Sequence, residues 1–90
     1  MIYNVYAIRD TKSQRFLQPM CDVNDATAKR GFSQAVNSEN GIIGFAPKDF
    51  DLYKIAEFDD EKGKYKPLEV IELVVNGAAL LFERKDENEM

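Results

Sequence analysis

The chain has 90 residues, one cysteine, no histidine and no tryptophan, and a chain of this length has no room for a second independent core. The single Cys21 excludes an intrachain disulfide, and the lack of histidine removes the commonest general base and transition-metal ligand. The formal net charge is −4, from 12 basic and 16 acidic residues. Whole-molecule attraction to phosphate is therefore not expected, and any nucleic-acid site must be local.

The first predicted element is a β-hairpin. Residues 2–9 are largely apolar on both alternating faces, which predicts a strand that is covered on both sides. The polar segment 10–14 suits a turn, and residues 15–21 supply the return strand. Pro19 cannot donate a ladder hydrogen bond, so this strand should lie at a sheet edge or end there.

One helix is predicted after this hairpin. Asn24 is a favourable N-cap, and Asp25 places negative charge in the first turn, where it suits the helix dipole. An apolar stripe follows at i, i+4, i+7 and i+8, formed by Ala28, Phe32, Ala35 and Val36. We expect the helix to end near residues 37–38.

Residues 39–49 connect this helix to a second hairpin. The connection carries Ile42, Ile43 and Phe45, which we expect to fold back over a core edge or into a partner. Residues 50–58 form the next predicted strand, again apolar on both faces, and residues 59–63 form its turn. The last strand is predicted over 68–75, continuing beyond Pro67 after a bend.

A tight-turn signal, Asn76 followed by Gly77, ends this strand. Residues 78–84 fit either a short strand or a C-terminal helix. Residues 83–90 are charged and are predicted to be a flexible tail. The whole pattern predicts a single α+β domain over 1–82: hairpin, helix, hairpin, with a four-stranded, mainly antiparallel sheet and one packed helix.

One helix can cover only one face of such a sheet. The other apolar face must meet a second copy, the 42–45 loop or a ligand. We expect a homodimer or higher homo-oligomer, because burying ~800 Å² per subunit, a standard-sized interface, would suffice.

Targeting signals are absent from the pattern. The first residues lack a basic segment followed by a long apolar core, so no signal peptide is expected. The longest apolar run, 70–82, spans 13 residues and is interrupted by Glu72, Asn76 and Gly77, well short of the ~20 that a membrane helix needs. We expect a cytoplasmic protein that does not contact a membrane.

Signals for catalysis are weak. Asp49 and Asp51 form a D-x-D pair and residues 59–61 an acidic cluster, and either could bind a divalent cation through oxygen. Neither has further ligands at a recognisable spacing, so solvated turn charges are the better interpretation. Cys21 is expected to be a core residue. With no P-loop, dinucleotide fingerprint or nucleophile elbow, we predict no enzyme activity, cofactor or metal site.

Signals for binding are stronger. Basic residues bracket both predicted turns, and aromatic residues interleave with them; single-stranded nucleic acid is held by such pairing, with cations along the phosphates and rings stacked on bases. The opposing interpretation is that the rings pack in the core while the lysines solvate turns, and acidic residues in both turns favour it. The candidate phosphate contacts are Arg9, Lys12, Arg15, Lys64 and Lys66, and the candidate stacking rings are Tyr3, Tyr53 and Tyr65.

Five stretches spread over most of the chain carry a family resemblance: residues 1–10 (MIYNVYAIRD), 23–26 (VNDA), 30–32 (RGF), 48–53 (KDFDLY) and 73–78 (LVVNGA). Together, in this order and spacing, they resemble the small non-structural protein of gokushovirus-type microviruses, which are single-stranded DNA phages of bacteria. The resemblance implies a DNA-binding protein of the infected bacterial cytoplasm that acts in the switch to single-strand genome synthesis and packaging. It supplies no assigned contact residues.

The leading hypothesis is thus a non-enzymatic phage protein that binds single-stranded DNA during genome replication. The alternative is an interaction module that docks on a host or phage replication protein without touching DNA.

Overall fold

A computed structural model describes residues 1–82 and consists of an open, mainly antiparallel sheet with one main helix. The α+β prediction is confirmed. The strands are β1 (Ile2–Asp10), β2 (Arg15–Phe16), β3 (Met20–Asp22), β4 (Phe50–Asp59) and β5 (Lys64–Asn76). The helices are α1 (Asp25–Val36) and the short α2 (Ile42–Phe45), with 3-10 turns at Pro47–Asp49 and Gly77–Leu80. The predicted tail, 83–90, lies outside the described residues.

The predicted first hairpin is present, but its return strand is divided. β2 pairs with the end of β1 and β3 with its middle, both antiparallel, so the two short strands share one edge of the sheet. Between them, the Leu17 N–H still donates to the Ile8 carbonyl at 2.8 Å. Pro19 lies in the gap, where its missing N–H breaks no ladder bond. The sheet therefore has five strands by this count, where four were predicted.

The second hairpin forms the other half of the sheet. β4 pairs with β1, and β5 pairs with β4 and lies at the opposite edge from β2 and β3. The last strand begins at Lys64, earlier than predicted. Its register jumps between the pairs Ala56↔Pro67 and Lys54↔Glu72, so that residues 68–71 lie opposite Ile55 alone. This is the bend expected near Pro67.

The core lies between α1 and one face of the sheet. Its buried side chains are Tyr6, Ile8, Ala28, Phe32, Val36, Phe50 and Leu52. The helix begins as predicted, because the Asn24 carboxamide oxygen accepts from the Thr27 N–H at 2.8 Å. At its end, the Asn37 side chain donates to the Leu80 carbonyl at 3.0 Å, which fixes the 3-10 turn Gly77–Leu80 against the helix.

That 3-10 turn answers the question left open for residues 78–84 as far as the structure describes them. Residues 77–80 form neither a strand nor an α-helix. The Asn76 side-chain oxygen accepts from the Ala78 N–H at 2.9 Å and begins the turn. Gly77 is required there, since a Cβ would lie 2.3 Å from the Pro47 carbonyl oxygen.

One further expectation is confirmed in part, and another is wrong. In the 39–49 connection, Ile43 packs against the core, but Phe45 is 90% exposed. Cys21, expected in the core, is exposed, because it lies on an edge strand whose outer side is uncovered. Within residues 1–82, no helix is long and apolar enough to cross a membrane.

Candidate nucleic-acid interface

The face of the sheet away from α1 carries most of the aromatic side chains. Residues paired directly across an antiparallel ladder project to the same face. The pairs Tyr3↔Phe58, Ala7↔Tyr53, Arg9↔Phe16 and Phe58↔Tyr65 therefore share one face, while Ile8↔Leu52 faces the helix. We call this surface the open face and define it by Tyr3, Arg9, Phe16, Tyr53, Phe58 and Tyr65.

The rings of the open face contact each other in pairs. Phe16 and Tyr53 meet edge to face with centroids 5.8 Å apart, and Phe58 and Tyr65 meet at 5.0 Å with a tilt of 48°. Beneath them, Val5 and Ala7 are each only 1% exposed. Because no helix among residues 1–82 lies over this side, the surrounding side chains must cover them. The rings form the outer layer here, and Phe16 and Tyr65 remain 44% and 61% exposed.

One cation belongs to this ring layer. The Arg9 guanidinium carbon lies 5.9 Å from the centroid of the Phe16 ring, within cation–π range. Its cross-strand neighbour Asp51 accepts a hydrogen bond from the Asn76 carboxamide at 2.7 Å. Arg9 thus places a positive charge beside an exposed ring, the combination that holds a base and its phosphate.

The two predicted basic groups lie at opposite ends of the sheet. Lys12 is in the first turn, where the Asp10 carboxylate accepts its backbone N–H at 3.0 Å, and Arg15 pairs with Asp10 across the hairpin. The second turn lies at the other end, beside Met1, whose ammonium group contacts the Asp60 carboxylate at 2.7 Å. Since β4 runs the length between them, about 30 Å for ten residues separates the groups.

The lysines of the second group project to the helix side of the sheet. Lys64 pairs with Asp59 and Lys66 with Glu57, and these acids pair in turn with Ile2 and Asn4 of β1. Asp59 and Glu57 are therefore the cross-strand neighbours of the two lysines on that side. The structure brings Tyr3, Tyr53, Tyr65 and Arg9 to one face and places Arg15, Lys64 and Lys66 on the other. Arg15 lies there because it pairs with Asp10, whose other partner is the core residue Phe50.

Two rings of the open face, Phe16 and Phe58, were not among the predicted site residues. If the side chains of β4 alternated strictly between the two faces, Ile55 and Glu57 would lie on the open face with Tyr53. A register shift inserts one extra residue at Ile55, between the pairs Tyr6↔Lys54 and Val5↔Ala56, and so moves Phe58 there instead. Single-residue bulges of this kind reverse the faces of a strand. The predicted turn at residues 10–14 would place Arg15 opposite Arg9, whereas the observed turn is one residue shorter and places Phe16 there.

The fourth tyrosine has a structural position. The Tyr6 hydroxyl is buried, donates to the Asp25 carboxylate at 2.5 Å and accepts from the Asn4 carboxamide at 2.9 Å. Burial, together with the bond to Asp25, raises the pKa of Tyr6 to about 12. The Tyr6 hydroxyl is therefore neutral, and its hydrogen bond to Asp25 connects β1 to the first turn of α1.

The acidic residues do not form a metal cluster in the part of the chain that the structure describes. Among residues 1–82, no three Cys, Asp or Glu side chains are grouped to hold an ion. Asp51 bonds Asn76, and the Asp59 carboxylate accepts the Glu61 N–H at 2.9 Å within its own turn.

The protein is a small α+β protein in which the main helix covers one face of the sheet. Among residues 1–82, no helix covers the other face, which carries the aromatic rings. A family model described as Phage ORF5 protein matches residues 3–80. The chain belongs to this family and is a phage protein. Neither the curated proteins nor the solved structures contain a match to it.

Proposed function

We propose that this protein binds single-stranded DNA on the open face. The observation that carries the proposal is the layer of five rings with Arg9 beside Phe16 on a sheet surface that α1 does not cover. Exposed rings on a sheet are suited to single strands, whose unstacked bases present their π-faces, whereas paired bases do not.

Stacking supplies most of the binding free energy in this proposal. Each base that stacks on an aromatic side chain contributes about 1–3 kcal/mol and does so with little sequence preference. Two ring pairs lie along β4, one near each end of the strand. A single strand laid along β4 would meet both pairs.

Phosphate contact has a smaller part. We assign it first to Arg9, which lies on the open face, and then to Lys12 and Arg15, which lie at the same end of the sheet, Arg15 on its helix side. Lys64 and Lys66 contribute less, because they lie at the other end of the sheet and project to the helix side. For single strands the slope of log affinity against log salt is about −0.7 per neutralised phosphate, so three contacts give about −2 and five about −3.5.

The biological setting follows from two lines of support. Membership of the Phage ORF5 family supports a role in an infected bacterium. The resemblance to the non-structural protein of gokushovirus-type microviruses supports a single-stranded genome as the ligand. We propose a non-enzymatic protein of the host cytoplasm, without a cofactor, that acts in the switch to single-strand synthesis or packaging.

A salt series with tyrosine fluorescence tests the proposal. The chain has four tyrosines and no tryptophan, so quenching by oligo-dT reports stacking on Tyr3, Tyr53 or Tyr65. Between about 50 and 200 mM salt we expect the slope of about −2, and Arg9→Gln should make it shallower by about 0.7. The absence of quenching at micromolar protein would contradict the proposal. A slope near −3.5 that becomes shallower with Lys64→Glu and Lys66→Glu would show that these lysines also contact phosphate, and would contradict the assignment of phosphate contact to the first turn.

A second candidate is an interaction module that docks on a host or phage replication protein. The net charge of −4 favours it, and so does the exposed apolar Leu73 beside Tyr53 on the same face. Under this function, the open face would bind an apolar protein surface, and oligo-dT would leave the fluorescence unchanged at every salt concentration.

A further inference from the structure

The β5 strand is the longest strand and lies at a free edge of the sheet as described for residues 1–82. Its apolar side chains are unusually accessible: Val70 is 78% exposed and Leu73 58%. An edge strand presents a row of backbone N–H and C=O groups, and a long apolar edge is a template for pairing with another chain.

Charges along β5 are divided between its two halves. Lys64 and Lys66 precede Pro67, whereas Glu69 and Glu72 follow it. Two copies of this strand placed side by side in parallel would oppose like charges. Placed antiparallel, each lysine half would face the glutamate half of the other copy, which stabilises a strand pair.

We propose that β5 pairs antiparallel with β5 of a second copy, forming a homodimer with one continuous sheet. A register centred on Leu68 places Lys64 of one copy opposite Glu72 of the other. Both side chains project to the helix side, since Lys64 pairs with Asp59 beside Ile2 and Glu72 pairs with Lys54 beside Tyr6. The salt links therefore form on one face, and Val70 lies opposite Lys66 near the centre.

Edge pairing leaves the open face free. The two-fold axis of an antiparallel strand pair is perpendicular to the sheet, so the two open faces lie side by side on the same side of the dimer. The pairing does not depend on DNA binding. If both occur, two linked ring layers would raise avidity for a long strand without any new contact.

A charge-exchange experiment tests the interface. One variant carries Lys64→Glu and Lys66→Glu, and the other carries Glu69→Lys and Glu72→Lys. Alone, each variant opposes like charges at both ends of the pair, and we expect dimerisation in sedimentation velocity to be weaker by about tenfold or more. Mixed in equal amounts, the variants are complementary at both ends, and dimers should return.

Mixing separates this effect from damage within one subunit. In the first variant the new glutamates face Asp59 and Glu57 of their own β4, and that repulsion persists in the mixture. Any dimer regained on mixing therefore reports contact between copies. The proposal is wrong if the wild type is monomeric at tens of micromolar, if the variants dimerise like the wild type, or if mixing restores nothing.

A milder variant covers the case in which a double variant fails to fold. Val70→Lys changes a side chain that is mostly in solvent and places it opposite Lys66 of the second copy. We expect weaker dimerisation with an unchanged circular dichroism spectrum. Ile42→Lys, at an exposed position in α2, is the matched control and should dimerise like the wild type. Equal dimerisation of Val70→Lys and the wild type would overturn the proposed register.

Discussion

The two faces of the sheet are built from the same strands and from similar residues, yet only one is closed by a helix. On the helix side, Phe32, Val36, Tyr6 and Leu52 are each at most 2% exposed. On the open face, rings of the same kind lie partly in solvent. An apolar pattern on both sides of a strand therefore marks two different things here: a core on one side and an accessible layer on the other.

The difference lies in what the rings contact. Phe32 is surrounded by strand and helix side chains and belongs to the core cluster. Phe16 touches Tyr53 and Arg9 on one side and solvent on the other. Removing a core ring should destabilise the fold strongly, whereas removing an open-face ring should leave the fold intact and expose any binding defect.

Phe32→Ala and Phe16→Ala form a matched pair for the first test. Truncating the buried ring should lower the free energy of unfolding by about 3–5 kcal/mol, through lost transfer energy and the cavity left behind. Phe16→Ala should lower it by about 1 kcal/mol, the value of an edge-to-face ring contact. Urea denaturation measures both. Equal losses would show that the open face is as much a core as the helix side.

Tyr53→Ala tests binding rather than stability. It removes one stacking ring and should weaken oligo-dT binding by about 1–3 kcal/mol, or roughly 5- to 150-fold. Phe45→Ala is the control, because Phe45 is 90% exposed and lies away from the open face, in α2, which packs against α1. If the two variants bound DNA equally well, the open face would not be the site.

Tyr6→Phe removes only the buried hydroxyl. Asp25 and Asn4 then lose their shared partner, and we expect a loss of about 1–2 kcal/mol in the free energy of unfolding. Tyr65→Phe, with an exposed hydroxyl on the open face, should change it by less than about 0.5 kcal/mol. Thermal denaturation at pH 7 separates them, and similar losses would contradict the division between faces.

Tyr6 also predicts a pH dependence. Its pKa is raised from 10.0 to about 12 in the folded protein, so the unfolded chain loses this proton first as pH rises. The stability that Tyr6 contributes is complete below pH 10 and is lost as pH rises toward 12. Tyr6→Phe should therefore lose less stability than the wild type over this interval in urea denaturation. If the free energy of unfolding declined equally in both proteins over this interval, the Tyr6 hydroxyl would be in contact with water and not buried.

The smallest effect is expected at the start of the helix. Asn24→Ala removes the acceptor for the Thr27 N–H and should lower the free energy of unfolding by about 1 kcal/mol. Asn40→Ala is the control, since the described hydrogen bonds of Asn40 join its backbone N–H and C=O to the Ser38 hydroxyl and do not use the Asn40 side chain. DNA binding should be unchanged in both. A binding loss with Asn24→Ala alone would mean that the helix layer shapes the open face.

Much of the fold was predictable because its signals are local. The Asn24 cap, the stripe ending at Val36 and the two hairpin turns depend on neighbouring residues, and each appears within one residue of its predicted place. The register of β4 was not predictable. The extra residue at Ile55 is set by tertiary pairing with β1 and carries no turn residue or glycine to mark it.

The candidate site divides in the same way. Tyr3 and Arg9 share the open face because β1 alternates regularly from Tyr3 to Arg9. The separation of Lys64 and Lys66 from them required the order and direction of all the strands, which follow from long-range pairing. Local chemistry identified the residue types, and topology decided which of them meet.

Nuclear magnetic resonance of the labelled protein during titration with oligo-dT tests the central claim most directly. The ring signals of Tyr3, Phe16, Tyr53, Phe58 and Tyr65 should shift together and saturate at one DNA concentration, while those of Phe32 and Phe45 stay in place. Shifts confined to α1 and α2, or none at saturating DNA, would contradict the assignment of the open face as the DNA-binding surface.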